Sequence, residues 1–98
     1  LRALEVAVHG LIEAGITVSL TVLVGLGGPS AAAAHREATT AFLARLPLGA
    51  ADRVYLSPLA RSLPPGRLAA ETAAFRSELS ALGPRVGDYR IERFAWLA

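Results

Sequence analysis

The segment ITVSLTVLVGLGGPS, residues 16–30, contains no charged residue and ends in three glycines and a proline. The β-branched and apolar residues at 16–24 are typical of a strand, and glycines bound them on both sides. Glycines after a strand serve a tight turn, or they let the backbone approach a ligand closely. The segment alone leaves both interpretations open, because LGLGG lacks the lysine of a phosphate-binding loop and the dinucleotide-binding fingerprint.

Helical and strand-like segments alternate along the chain. Apolar residues recur at every third or fourth position in three segments, which is typical of amphipathic helices. The pattern predicts helices at residues 1–14, 31–46 and 67–82, with Ser30 as the N-cap of the second, and strands at 16–24, 52–57 and 89–96. The order α-β-α-β-α-β predicts an α/β fold whose sheet is parallel.

Each predicted helix carries one apolar stripe. The stripes are Leu1, Leu4, Val8, Leu11 and Ile12 in the first helix, Ala38, Phe42, Leu43 and Leu46 in the second, and Leu68, Thr72, Phe75, Leu79 and Leu82 in the third. A parallel sheet normally has helices on both faces, whereas these three helices form a single row. We therefore expect one face of the sheet to remain open.

The predicted strands have one apolar and one polar face. Because side chains alternate, Ile16, Val18, Leu20, Val22 and Val24 share one face, and Thr17, Ser19, Thr21, Leu23 and Gly25 share the other. In the second strand, Val54 and Leu56 lie opposite Arg53, Tyr55 and Ser57. The polar face is expected to meet water or the inside of an open barrel that holds a ligand. Ligands of such folds gather at the carboxyl ends of strands, here residues 25–28 and 57–59.

Composition limits the possible functions. The 98 residues suffice for one domain, and 53% hydrophobic residues make the chain more apolar than a free-standing small domain needs to be. The net charge is only +2 and the arginines are scattered, so no nucleic-acid interface is expected. Without cysteine the chain forms no disulfide and offers no thiolate ligand. Glycine and proline interrupt the uncharged residues 14–34, so we expect no membrane span and a cytoplasmic location.

The segment VLVGLGGPSAAAAHREATTAFL, with AGI before it and RVYLSPL after it, resembles the radical SAM superfamily, in the C-terminal half of its partial (β/α)6 barrel. In the branch that it resembles, a strand ends in a GLGG turn, which a histidine follows and, four residues later, a threonine. Here these are residues 25–28, His35 and Thr39. The closing YRIERFAWL is similar to the end of the same branch, so the resemblance covers nearly all of the chain.

This resemblance implies a segment of an open (β/α) barrel that binds S-adenosylmethionine across its strand ends and a [4Fe-4S] cluster on three cysteines near its first strand. The element that contacts the adenosyl group corresponds to Thr21, Leu23, Gly25 and Gly28. Leu23 and Gly25 keep the family pattern, whereas Thr21 stands in place of a glycine and Gly28 in place of an acid. Gly28 therefore has no acidic side chain with which to contact the adenosyl group.

Further contacts are implied by the second strand. Main-chain groups of Leu56 and Ser57 would contact adenine, and Arg53, Tyr55 and His35 are candidates for the wall of the barrel mouth without an assigned role. A lone histidine is nevertheless more often structural than functional. The cluster cysteines would belong to a missing N-terminal half of the barrel, so we expect no bound cofactor and no activity in this chain alone.

Two functions remain open. The chain begins at Leu1 rather than methionine, and we expect it to be the C-terminal fragment of a radical SAM enzyme, with unknown catalytic residues and a tendency to self-associate through its open edges. The alternative is a small self-contained α/β domain that binds a ligand or another protein without catalysis. Three cysteines in the order C-x3-C-x2-C upstream in the gene would favour the enzyme.

Overall fold

The computed structural model describes residues 2–89, in which helices and strands alternate. The elements are α1 (Arg2–Glu13), β1 (Ser19–Val24), α2 (Ala32–Ala44), β2 (Arg53–Pro58), α3 (Pro65–Ser80) and β3 (Arg85–Asp88). The α/β class and the order of the first five predicted elements are therefore confirmed, whereas β3 lies at residues for which the sequence predicts no strand. The strand predicted at 89–96 lies outside the described residues except for Tyr89, which follows β3.

The three strands form a parallel sheet, as predicted, and their order in the sheet is β1-β2-β3. Thr21 pairs with Tyr55, and Tyr55 pairs with Gly87 on its other side. Within the described residues, β1 and β3 are the edges of this sheet. Each strand therefore lies beside the next one in sequence, and each connection passes through a helix.

The helices pack on one face of the sheet, which we call the covered face. The core on this side consists of Val8, Val18, Val22, Val24, Leu43, Leu46, Leu48, Val54, Leu56, Phe75 and Leu79. The opposite side, which we call the open face, carries Ser19, Thr21 and Leu23 on β1, Arg53, Tyr55 and Ser57 on β2, and Arg85 and Gly87 on β3. The predicted division into a valine face against helices and a polar face away from them is confirmed within β1 and β2, whereas Ile16, assigned to the valine face, is exposed, and Gly25, assigned to the polar face, is buried.

Strand β1 begins three residues later than predicted. Gly15 has a φ of 81°, and the amides of Gly15 and Ile16 donate hydrogen bonds to the carbonyls of Ile12 and Leu11. This left-handed glycine arrangement ends α1 and turns the chain toward the sheet. The Val18 amide then donates to the carboxylate of Asp52 at 2.8 Å, so regular strand pairing starts only at Ser19.

The start of α2 also differs from the prediction. Ser30 is not the N-cap, because the helix begins at Ala32, Ala31 occupies the cap position, and no side chain caps it. The amides of Ala31 and Ala32 instead donate to the carbonyl of Gly28, at 3.2 and 3.0 Å. Of the predicted apolar stripe, Leu43 and Leu46 are buried, whereas Ala38 lies on the same side as Phe42 but remains exposed.

Helix α3 carries the predicted apolar stripe. It begins at Pro65, and because amides in the first turn have no partner within the helix, the missing N–H of proline removes no helical hydrogen bond. Arg36 of α2 holds the two helices together through Glu71, at 3.0 Å from its Nε, and through Glu78. Burial lowers the pKa of the Arg36 guanidinium, but the hydrogen bonds and charges of Glu71 and Glu78 outweigh it and raise the pKa.

Of the helices in residues 2–89, none is long and apolar enough to cross a bilayer.

Candidate functional site

The carboxyl ends of β1 and β2 lie side by side, so the loops that follow them share one edge of the sheet. Val24 pairs with Pro58, and the amide of Leu59 donates to the carbonyl of Val24 at 2.9 Å. Residues 25–28, which we call the glycine turn, follow β1, and residues 59–64 lead from β2 to α3. This edge is where a ligand of a parallel α/β protein is expected.

The glycine turn is built from backbone that only glycine adopts readily. Gly25 has a φ of 92°, Gly27 of 87° and Gly28 of 72°. The amide of Gly28 donates to the carbonyl of Gly25 at 3.0 Å, which closes a turn before α2. The backbone conformation thus accounts for the glycines without any ligand.

Packing also requires a glycine at position 25. A side chain on Gly25 would overlap the hydroxyl of Ser62, which comes from the loop after β2. The Ser62 hydroxyl donates to the carbonyl of Leu59 at 2.6 Å, so it is held in place above Gly25. Gly25 is buried, and the space above its Cα is filled by the protein itself.

The other residues implied for adenosyl contact lie in different settings. Thr21 and Leu23 are exposed on the open face, and Ser57 is half-buried beside them, paired with Leu23. The Leu56 side chain is fully buried on the covered face, and its carbonyl accepts a hydrogen bond from the Tyr89 amide at 2.9 Å. Thr21, Leu23 and Ser57 are therefore the members of this set whose side chains share the open face.

Tyr55 lies in the middle of the open face. It pairs with Gly87 of β3, and a methyl group at Gly87 would sit 3.7 Å from the ring carbons Cδ1 and Cε1 of Tyr55. The ring therefore lies over the glycine, which leaves a flat aromatic surface beside Thr21. Arg53 shares this face, but it begins β2 at the amino-terminal end of the sheet, so it does not lie at the carboxyl-end mouth where it was expected.

His35 is the exception, because it lies on the covered side of the sheet. Its ring packs edge-on against the fully buried Phe75, with ring centres 6.4 Å apart. Its Nε2 is 3.5 Å from the Thr39 hydroxyl. The expectation that His35 lines the barrel mouth together with Arg53 and Tyr55 was wrong, since the side of α2 that bears His35 and Thr39 is turned to the core.

A groove of about 370 Å³ runs along the free edge of β1, between α1 and α2, and we call it the edge groove. Its apolar lining includes Leu4, Leu20, Val22, Ala38, Phe42 and Leu43, His35 and Thr39 contribute polar atoms, and Thr21, Leu23 and Leu26 also line it. Leu4 is 44% exposed, which is high for a leucine that faces a core. Sequence patterns do not reveal this groove, because it depends on how far α1 lies from α2.

Asp52 fixes the opposite end of the sheet. It is 5% exposed, and its two carboxylate oxygens accept hydrogen bonds from the amides of Val18 and Gly49, each at 2.8 Å. The sequence placed Asp52 at the start of a strand but gave no sign of these partners, which are 34 and 3 residues away. The residue has a structural role, since both of its oxygens hold backbone amides.

The described part of the chain holds no candidate metal centre. Within residues 2–89, no group of three or more histidine, cysteine, aspartate or glutamate side chains is placed to hold a metal ion. No model of a known protein family, no curated protein and no solved structure matches the chain.

Proposed function

We propose that this chain is part of the barrel of a radical SAM enzyme and that its open face contributes contacts to the adenosyl group of S-adenosylmethionine. The main support is the one-sided sheet, in which the helices of residues 2–89 cover Val22 and Val24 and leave Thr21 and Leu23 exposed. In an open (β/α) barrel, the face without helices lines the interior. The radical SAM family is proposed because the GLGG turn and the histidine and threonine that follow it resemble the pattern of that family.

The side chains of Thr21, Leu23 and Ser57 would form the contact surface. Leu23 is 40% exposed and offers an apolar surface for a planar base, and hydroxyls on either side can donate and accept hydrogen bonds. Gly28 is half-buried, and a Cβ there would meet only the Ser62 carbonyl oxygen, 3.9 Å away, so its backbone remains approachable. Gly25 and Leu56 would contribute indirectly, by fixing the backbone conformation of the strand ends that carry the contact residues.

The [4Fe-4S] cluster does not fit on this chain. The 98 residues contain no cysteine, so they supply none of the thiolates that hold such clusters. In the proposed enzyme the cluster would supply the electron for reductive cleavage of the sulfonium, to start radical chemistry on a substrate that the sequence does not identify. The residues described here would only bind and orient S-adenosylmethionine, and the isolated chain is expected to be inactive.

The proposed partner is the N-terminal half of the barrel, joined along the free edge of β1. The edge groove supports this, because a strand paired with β1 and the apolar side chains packed on it would cover Leu4, Leu20 and Phe42. In the absence of that half, self-association through the same edge is expected. The proposal includes no nucleic-acid partner and no membrane partner. It places the enzyme in the cytoplasm.

The proposal is tested on the protein encoded by the complete gene, purified without oxygen and loaded with iron and sulfide. Under a strong reductant, consumption of S-adenosylmethionine is expected. The variant Leu23→Arg fills the open face and is expected to abolish consumption, whereas Ala70→Arg, on the exposed side of α3, leaves it unchanged. Calorimetric titration of S-adenosylmethionine into the same proteins separates binding from cleavage.

Two results would contradict the proposal. One is a complete gene without three cysteines in the order C-x3-C-x2-C, which would favour the self-contained binding domain instead. The other is S-adenosylmethionine binding that Leu23→Arg leaves intact, since the ligand would then lie elsewhere. Iron content and folding of each variant are the controls.

A further inference from the structure

Two arginines lie side by side on the open face, at the amino-terminal end of the sheet. Arg53 begins β2, Arg85 begins β3, and the two residues pair directly. Their neighbours Val54 and Val86 face the core, so alternation directs both arginines to the other side. Paired residues of adjacent strands are about 5 Å apart, which brings the two guanidinium groups within reach of a single ligand.

No described carboxylate neutralises this arginine pair. Among residues 2–89, the arginines in ion pairs are Arg36, Arg45 and Arg76, and neither Arg53 nor Arg85 is among them. The adjacent Asp52 uses both of its oxygens on backbone amides. Like charges directly opposite each other on a sheet are destabilising, so an anion between the two guanidinium groups would relieve this repulsion.

The neighbouring positions can receive the rest of such a ligand. Ser19 pairs with Arg53 on its other side and places a hydroxyl in the same row. The next row contains Thr21 and the Tyr55 ring over Gly87, which together offer a flat, partly apolar surface. An anionic group with a small planar or apolar body would therefore find complementary chemistry over two rows of the sheet.

We propose that the open face binds the carboxylate or phosphate group of a small molecule between Arg53 and Arg85, with Ser19 as a further donor. Two guanidinium groups can each offer parallel N–H donors to such an oxyanion. The arginine pair is separate from the proposed adenosyl contacts at Leu23 and Ser57, because Arg53 and Ser57 are four residues apart, about 13 Å along an extended strand, and Thr21 lies between the two sites. The inference therefore stands whether or not the chain belongs to a radical SAM enzyme.

Inorganic phosphate is the probe for this site. It is titrated into the isotope-labelled 98-residue chain at constant ionic strength, with chloride as the replaced ion, and nuclear magnetic resonance follows the backbone amides and the arginine Nε–H groups. Saturable shifts are expected at Arg53 and Arg85. The double variant Arg53→Gln/Arg85→Gln is expected to weaken phosphate binding about tenfold or more, because the charge-assisted hydrogen bonds are lost.

Matched variants make the result decisive. Arg2→Gln removes one exposed positive charge on α1, outside the sheet, and is expected to leave phosphate affinity unchanged. The double variant Arg53→Lys/Arg85→Lys keeps the charge but not the fork of donors, so an intermediate affinity is expected. An amide spectrum that retains the dispersion of the parent shows that each variant is folded.

Three outcomes would overturn the inference. One is the absence of saturable shifts in the parent chain. Another is equal weakening by Arg2→Gln, which would show that phosphate responds only to net charge. The third is a response centred on the glycine turn and lost in Arg67→Gln, since the guanidinium of Arg67 donates to the Pro29 carbonyl there, at 2.7 Å.

Discussion

The two faces of the sheet share the same three strands and differ in almost everything else. On the covered face, Val24, Val54 and Leu56 are fully buried beneath Phe75 and Leu79. On the open face, the same strands present hydroxyls, two arginines and a tyrosine. The buried side of the strands therefore holds most of the stability, and residues on the other side can vary with little effect on folding.

The largest test of this difference compares two leucines on neighbouring strands. Leu56→Ala is expected to lower the free energy of unfolding by about 2–5 kcal/mol, because the buried side chain leaves a cavity in the core. Leu23→Ala, on the open face, should cost less than about 1 kcal/mol. Urea denaturation followed by circular dichroism measures both. Similar losses in the two variants would show that the open face is covered in solution.

A second test concerns the amino-terminal end of the sheet. Asp52→Ala removes the acceptor of two backbone amides and is expected to cost about 1–3 kcal/mol in the free energy of unfolding. The matched control is Asp88→Ala, which breaks the largely exposed ion pair with Arg76 and should cost less than about 1 kcal/mol. Equal effects in denaturant titrations would contradict the structural role of Asp52.

The smallest expected effect concerns the free edge of β1. If the edge groove mediates self-association, Leu4→Glu should raise the dissociation constant about tenfold, equivalent to about 1.4 kcal/mol, by placing a charge in an apolar contact. Val6→Glu is the control, because Val6 is 62% exposed and does not line the groove. Sedimentation equilibrium measures both. A parent chain that stays monomeric at all concentrations would remove the groove as an interface.

The sequence predicts what depends on local periodicity. Period-two alternation in β1 and β2 identifies the covered and open faces, and the stripe that includes Phe75 and Leu79 identifies the buried side of α3. These features depend on which side chains are removed from water, and the polarity of each residue in the sequence indicates this directly. The candidate contact residues Thr21, Leu23 and Ser57 were assigned to the open face on the same basis, and the structure has them there.

Features that depend on distant partners were not predictable. Strand β3 is four residues long and contains Gly87, so it has little periodicity, and its formation depends on pairing with β2. The side on which His35 lies depends on the rotation of α2 against Phe75. Ser30 has the chemistry of an N-cap, but the carbonyl of Gly28 already accepts hydrogen bonds from the amides of Ala31 and Ala32, so the helix begins one residue later than predicted.

The Ser62 hydroxymethyl group lies above Gly25, so the loop after β1 and the loop after β2 depend on each other, although their sequences are not similar. A substitution in either loop changes the shape that the other must fit, so transfer of the glycine turn alone to another α/β scaffold would leave a void or a clash. Engineers who wish to reshape this end of the molecule should therefore exchange residues 25–28 and 59–62 as one unit.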